Sequence, residues 1–384
     1  MRKEIKQILR EGVIMENRIK FYLPIPSDVQ EIQQVFKKNG FKLYIVGGAV
    51  RDALLGKTPK DYDLATDAVP DEVERIMKDG GFRTLPTGKA FGVINVFTDQ
   101  GEYEIATFRV DLGSGRRPDS VSFTNIEGDV ARRDLTVNAL FYDIDTKEIV
   151  DLVGGVDDIK NGVVRTVGKP EDRFGEDRLR ILRAIRFAGR FGSKLDPKTD
   201  MALQKDASLK GISGERIRDE FLKGIASAKS VKQFLIMLDG YRLFDWIFND
   251  LAVDKDFVED NDPIIVIATI LKRNNIETLR KGLNSLKYSV DEVKAISFLV
   301  ALLKLNVDTA VTLKKIQQSS GVTNEQIKKF ASMNGINKNL IDAFEEFKLS
   351  VSGPEAMEIT GLKPGPELGA AIQKIETDNF KKLL

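Results

Sequence analysis

The chain has 384 residues and contains no cysteine and no histidine. That rules out disulfides, thiolate nucleophiles, Cys/His zinc sites and every histidine-based catalytic triad. Any catalysis must rest on carboxylates, Lys, Arg, Tyr, hydroxyls or a metal. Charge of one sign is also missing: 59 Lys+Arg stand against 58 Asp+Glu, for a formal net charge of +1. Global charge therefore gives no nucleic-acid signal, although basic residues cluster locally between Arg173 and Arg190. No apolar run approaches the roughly 20 residues needed to span a bilayer, so no membrane role is expected. The opening residues lack the uninterrupted apolar stretch of a signal peptide, and a cytoplasmic protein is expected.

What is present is a soluble globular composition, 42% hydrophobic and 30% charged, with length for two or more domains. One stretch, KLYIVGGAVRDALLGKTPKDYDLATD from Lys42 to Asp67, concentrates the chemistry. Leu43 to Val46 reads as a short buried strand. Gly47 and Gly48 follow. A helix is expected from Ala49, with Gly56 as its C-terminal stop. Asp61-Tyr62-Asp63-Leu64 reads as a second extended piece, which puts both carboxylates on one side. Paired carboxylates repel and each wants a counter-charge. A hard divalent cation suits them, and Mg2+ uses one or two carboxylates plus phosphate oxygens. The glycines offer close backbone approach and N–H donors to a phosphate chain.

Around this stretch the pattern is mixed α and β. The first twenty or so residues read as an amphipathic helix. A helix is expected from Asp28 to Asn39, with Ser27 as N-cap and Gln30 completing a capping box. Pro70-Asp71-Glu72-Val73 starts another helix. Val93 to Phe97 and Glu102 to Phe108 read as strands joined by a turn at Asp99-Gln100-Gly101. Glu104 is either a third carboxylate for the Asp61/Asp63 pair or a solvent-facing strand residue. Val110 to Asp119, with Arg116-Arg117, reads as a loop. Asp129 to Tyr142 reads as a helix entering a strand, with Arg133, Asp134 and Asn138 as embedded polar groups that need partners. Asp151 to Asp158 is a turn-rich junction, and the α/β region closes near Gly168. Helix is then expected from Glu176 through Arg190, with an apolar stripe at 181, 182, 185 and 188. Asp177, Arg180 and Arg183 fall along one side of it. Gly214 to Leu222 begins a further helix, amphipathic segments follow, and Gly361 to Gly369 turns into a terminal helix.

These signatures stand in an order that resembles the class II tRNA nucleotidyltransferases, the CCA-adding enzymes allied to bacterial poly(A) polymerase. The resemblance runs from about residue 22 to residue 225, with a weaker echo at 361 to 369. It implies an α+β fold: a nucleotidyltransferase head with a mixed β-sheet and helices over 1–165, then all-α neck (166–240), body (241–310) and tail (311–384). It implies a triphosphate site at Gly47, Gly48, Arg51 and Asp52, and two Mg2+ ions at Asp61 and Asp63 with Glu104 nearby. Arg133, Asp134 and Asn138 fall in the ribose motif, and a 2′-hydroxyl contact distinguishes RNA precursors from DNA precursors. Asp151 to Asp157 matches a hinge, and Glu215 to Glu220 a brace of the neck.

Asp177 and Arg180 match the family's base reader, with Arg183 one step further along. A carboxylate only accepts hydrogen bonds and a guanidinium only donates. Cytosine and adenine each present an amino donor beside a ring-nitrogen acceptor, and uracil and guanine reverse that order. Two side chains can therefore take CTP and ATP and refuse UTP and GTP without a template. The implied activity is addition of CCA to the 3′ end of tRNA by two-metal transfer with release of pyrophosphate. The implied partner is tRNA, held by the body and tail. Phe91 and Val93 depart from the His and Thr common in the family, and the loop before Arg116 is short, a feature of CC-adding enzymes. The alternatives are thus CC addition, poly(A) polymerase activity, or a non-catalytic tRNA-binding protein on the same fold.

Overall fold

The structure, a computed structural model, describes residues 17–112 and 120–384. The chain divides into two compact units, one ending at Gly211 and one from Ile212 to Leu384. The dividing point lies inside the segment 166–240.

The first unit is built on an eight-stranded sheet. Its strands are β1 (Asn17–Lys20), β2 (Leu43–Val46), β3 (Asp63–Thr66), β4 (Arg83–Leu85), β5 (Val93–Phe97), β6 (Glu102–Thr107), β9 (Phe141–Asp143) and β10 (Glu148–Asp151). The order is β1-β10-β9-β2-β3-β6-β5-β4. Only the β3–β6 pairing is parallel, so the sheet is mixed as expected. A separate hairpin pairs β7 (Arg109–Leu112) with β8 (Ser120–Phe123). The region expected as a loop is therefore flanked by paired strands, and Arg116-Arg117 lie outside the described residues.

Strand β2 shows why the sheet is buried on both faces. All four of its residues are buried. Leu43 and Ile45 join one core with Ile32, Phe36, Val73 and Ile76. Tyr44 and Val46 join the other with Phe108, Val130 and Phe141. The alternation of a strand sends neighbours to opposite sides, and an unbroken apolar run is what two covered faces require. Helices α1 (Ser27–Lys38) and α3 (Pro70–Asp79) cover the first face with Val29, Ile32, Phe36, Val73, Ile76 and Met77. On the second face the Tyr44, Phe108 and Phe141 rings lie 5.7–6.2 Å apart between centroids.

Four expectations are corrected. Asn17–Lys20 is a strand paired with β10, not helix, because Ile19 packs into the sheet core; residues 1–16 lie outside the described residues. Helix α1 has Pro26 at its N-cap and no side-chain cap. Ser27 Oγ instead accepts from Gln100 Nε2 at 2.8 Å, and Gln30 Nε2 donates to the Ile25 carbonyl. Between Asp129 and Tyr142 the helix α4 (Ile126–Ala131) stops early, and a single 3-10 turn, Thr136–Asn138, precedes β9. The helix expected through 176–190 is two: α6 (Pro170–Glu176) and α7 (Leu179–Phe191). Asp177, with φ −148° and ψ 108°, breaks the run. Its carboxylate caps the Leu179 N–H at 3.1 Å. The apolar stripe 181, 182, 185 and 188 is buried as expected.

Between β10 and α6 lies α5 (Gly155–Asn161). Asp151 holds the turn before it, accepting from the N–H groups of Val153, Gly154, Gly155 and Val156. A Cβ at Gly155 would fall inside contact distance of the Thr136 carbonyl. This close approach ties α5 to the 136–138 turn.

The second unit carries helices from Gly214–Ser227 through to the terminal Pro366–Lys381, with no strand among its described residues. Ser213, Ser230, Asp262, Asn275 and Ser289 each accept a backbone N–H at a helix start. Asn306, Thr323, Asn337 and Ser352 do the same further on. Such caps typically contribute about 1 kcal/mol, and they account for the polar breaks between amphipathic segments.

Candidate nucleotide site

The glycine turn follows directly from β2. Gly47 has φ 64° and ψ −111°, a conformation open almost only to glycine. It sends the chain into α2 (Gly48–Leu54). Val46 pairs with Asp63 on one side and Phe141 on the other. The turn, the start of β3 and the entry to β9 therefore share one end of the sheet. The Gly47 N–H donates to the Leu140 carbonyl at 3.0 Å, so it fastens the turn to that entry.

Asp63 opens β3, whereas Asp61 lies in the coil before it. The two still sense each other. The Asp63 carboxyl is raised above the ordinary range, first by burial and then by repulsion from Asp61, with Arg133 opposing. Its side chain is nonetheless exposed on the solvent side. Leu64 is in register with Ile105 of the parallel neighbour. Asp63 and Glu104 thus sit one step before that pair on adjacent strands. Among the described residues no group of three or more acidic side chains is gathered closely enough to hold a metal. The two aspartates form the pair, and Glu104 lies on the adjacent strand without joining them in a three-carboxylate cluster.

Arg133 lies against the glycine turn, its Nη1 3.5 Å from the place a Gly47 Cβ would occupy. That nitrogen donates to the Asn138 carbonyl at 3.1 Å. Its Nε and Nη2 reach Asp129 Oδ2 at 3.1 and 3.0 Å. The guanidinium also stacks over Phe141, 4.6 Å from its centroid. Asp129 is 1% exposed and holds Arg132 as well. Its role was not read from the sequence, although its i+3 and i+4 arginines were a visible signal.

Asp134 is joined to the same frame. Its Oδ1 accepts from the Leu135 N–H at 2.8 Å and from Asn138 Nδ2 at 3.4 Å. Its Oδ2 accepts from Arg183 Nε at 2.6 Å. A carboxylate has about four acceptor positions, and three are used. Asn138 Oδ1 in turn accepts from Arg51 Nη1.

Helix α7 supplies the remaining arginines. Arg180 Nη2 donates to the Arg132 carbonyl at 3.0 Å, and its Nη1 to the Arg173 carbonyl at 3.2 Å and to Glu176. Arg51 is buried, and burial lowers its pKa, with Asp52 opposing and Arg190 and Arg186 adding repulsion. Arg190 reaches Asp52 at 3.3 Å across 138 residues, a contact with no local sequence signal. Asn138 gathers Arg51, Arg133 and Asp134 around one turn, and Asp134 and Arg132 bind this group to α7. Gly47 meets it through Arg133, whose charge also acts on the Asp63 carboxyl.

Two family descriptions match the chain: "Poly A polymerase head domain" over residues 43–165, and "Probable RNA and SrmB- binding site of polymerase A" over residues 192–255. A CCA-adding enzyme of Ligilactobacillus salivarius is 32% identical over 395 residues, covering 95% of this chain and 94% of the relative. The chain belongs to the CCA-adding enzyme family. A second relative, from Leuconostoc mesenteroides, is 34% identical over 375 residues, 91% of this chain and 90% of its own. Among solved structures, the Bacillus stearothermophilus CCA-adding enzyme in complex with CTP gives a TM-score of 0.71 at 27% identity. The alignment covers 93% of this chain and 94% of that one. A Thermotoga maritima CCA-adding enzyme complexed with tRNA has a TM-score of 0.68 at 21% identity over 98% and 94% of the two chains, and shares the fold. The expected α+β class, with a mixed-sheet head and a helical remainder, agrees with these structures.

Proposed function

We propose that this chain adds C, C and A in turn to the 3′ end of tRNA, using CTP and ATP and releasing pyrophosphate. The observation that carries this reading is the place of Arg133 against the Gly47 turn, where its charge also acts on the Asp63 carboxyl. It puts a cation fixed by Asp129 and the Asn138 carbonyl beside the glycine turn, within electrostatic reach of Asp63.

The donor set fits hard cations: two oxygen-only side chains, with Asp63 raised first by burial and further by the charge of Asp61. Asp61 and Asp63, with Glu104 beside them, would hold two Mg2+ ions, whose chemistry is to acidify an attacking hydroxyl and offset phosphate charge. Gly48, Arg51 and Arg133 take the triphosphate. The Gly47 N–H is engaged with Leu140, so Gly47 contributes space and chain direction instead of a donor. Asp134 keeps one acceptor position for a ribose hydroxyl, and its three donors hold it in place.

Asp177 and Arg180 read the base edge. Asp177 is oriented by the Leu179 N–H, and Arg180 by three acceptors on Arg132, Arg173 and Glu176. Rigid donors and acceptors penalise a mismatched edge by roughly 1–3 kcal/mol per unpaired group. The helices of the second unit hold the tRNA, and the neck, body and tail divisions at 166, 241 and 311 are part of this proposal. No helix among the described residues is long and apolar enough to cross a membrane, and a cytoplasmic location is proposed.

Incubation with a tRNA lacking CCA, plus CTP, ATP and Mg2+, is expected to add three nucleotides. Arrest after two points to CC addition, and a long A tract on unrelated RNA points to poly(A) polymerase activity.

A further inference from the structure

Asp52 neighbours Arg51 in sequence, and adjacent helical residues point about 100° apart, so they do not ordinarily face each other. Here they do. Arg51 Nε and Nη2 both reach Asp52 Oδ1, at 2.9 and 2.8 Å. The other oxygen, Oδ2, is held by Arg190 Nη2 at 3.3 Å. Each carboxylate oxygen thus has its own arginine, and Arg190 turns Asp52 back onto Arg51.

The same helix makes the rest of the Arg51 cage. The Arg51 guanidinium carbon lies 5.1 Å from the Phe187 centroid and 5.5 Å from that of Phe191. Those two rings stack at 5.8 Å. Phe187, Arg190 and Phe191 fall at i, i+3 and i+4, on one face of α7. Arg51 is 5% exposed. Its Nη1 goes to Asn138, and its Nη2 lies 3.7 Å from the place a Gly48 Cβ would take. A buried guanidinium without a counter-charge is costly, and Asp52 is the carboxylate that meets it. The nitrogen that meets Asp52, Arg51 Nη2, is thereby the one held beside Gly48.

We infer that Asp52 and Arg190 are positioning residues for nucleotide binding: Arg190 holds Asp52, and Asp52 holds Arg51 against the Gly47–Gly48 turn. This rests on the nucleotide site proposed above, but it moves Asp52 from the ligand to the support behind it. It also adds Arg190, which no motif reading supplied. The contact acts on the triphosphate end alone, so it is blind to the base.

The test measures kcat and KM for CTP and for ATP, at saturating tRNA, together with Tm, in wild type, R190Q, R190K, D52N and R190Q/D52N. R190Q is expected to raise both KM values by about 10-fold, the order typical of supporting-residue losses, with kcat within about 2-fold and CTP:UTP selectivity unchanged. R190K keeps the charge as a point donor and is expected to recover most of the loss. The double variant is expected to be no worse than D52N, because the two residues act in series. Unchanged KM in R190Q with a lowered Tm would mean a packing contact only and overturns the inference. Additive effects in the double variant also overturn it. If R190Q does not fold, D52N decides: raised KM values for both CTP and ATP with CTP:UTP selectivity unchanged support the inference, and wild-type KM values overturn it. A wild type that incorporates no nucleotide overturns the functional reading and this inference together, whereas an active wild type with indifferent variants overturns the inference alone.

Discussion

Arg183 Nε lies 2.6 Å from Asp134 Oδ2, across 49 residues of sequence. This pair joins α7 to the segment that turns into β9. It makes the ribose motif and the arginine helix one object. Asp134→Ala removes the acceptor proposed for the 2′-hydroxyl. The expected result is a smaller preference for CTP over dCTP, by about 10-fold or more for one lost hydrogen bond to a charged group. Competition between the two nucleotides in single-addition assays measures it. A preference equal to wild type would remove Asp134 from ribose recognition.

The same pair sets a pH dependence. Burial pushes the Asp134 carboxyl up, but the charge and hydrogen bond of Arg183, the Leu135 N–H and the charge of Arg180 outweigh it, and the carboxyl lies below its ordinary value. A group with a depressed folded pKa contributes stability above its unfolded value of about 3.9, and that contribution is lost as pH falls through the folded value. Arg183→Met strands a buried carboxylate. The urea midpoint should drop sharply at pH 7, and the gap to wild type should close below about pH 4. A gap independent of pH would show that the pair is not the source.

Asp177→Ala is expected to weaken rejection of UTP and GTP. One lost acceptor corresponds to roughly 1–3 kcal/mol, or about 5- to 150-fold in the CTP:UTP ratio. Metal dependence of the residual activity should not change, because the metal ions are assigned to Asp61 and Asp63 and not to Asp177. Unchanged selectivity in a mixed-nucleotide competition would take the base-reading role away from it.

Gly155→Ala tests the packing of the junction instead of the chemistry. The new methyl would meet the Thr136 carbonyl at the turn that carries Asn138. A loss of about 1–3 kcal/mol is expected, as for other overpacked sites, and thermal denaturation measures it. A Tm equal to wild type would mean the α5 contact yields freely.

Much of this was legible because the signals were local. The buried strand Leu43–Val46, the glycine turn and the 181, 182, 185, 188 stripe follow from periodicity and from glycine geometry. The break at Asp177 was not legible, because periodicity continues through it and only the side-chain cap on Leu179 reveals it. Asn17–Lys20 has no alternation of its own and becomes a strand because β10 offers an edge. The reach of Arg190 to Asp52 and of Arg180 to the Arg132 carbonyl depends on chain folding between distant segments. No spacing rule finds such contacts. Strand pattern alone reads Glu104 as a surface residue and only the family resemblance moves it toward the metals; its position on the strand adjacent to Asp63 follows from a parallel register.

Nucleotidyl transfer to tRNA is proposed to rest on the Asp61/Asp63 pair and the Arg133-braced glycine turn. An end-labelled tRNA lacking its CCA end, incubated with CTP, ATP and Mg2+ and either wild type or Asp63→Ala, tests it most directly. Wild type is expected to add three nucleotides. Asp63→Ala is expected to lower the rate by about 10³-fold or more, as for loss of a group that acts in the transition state, with Tm preserved. Incorporation by Asp63→Ala at the wild-type rate would contradict it.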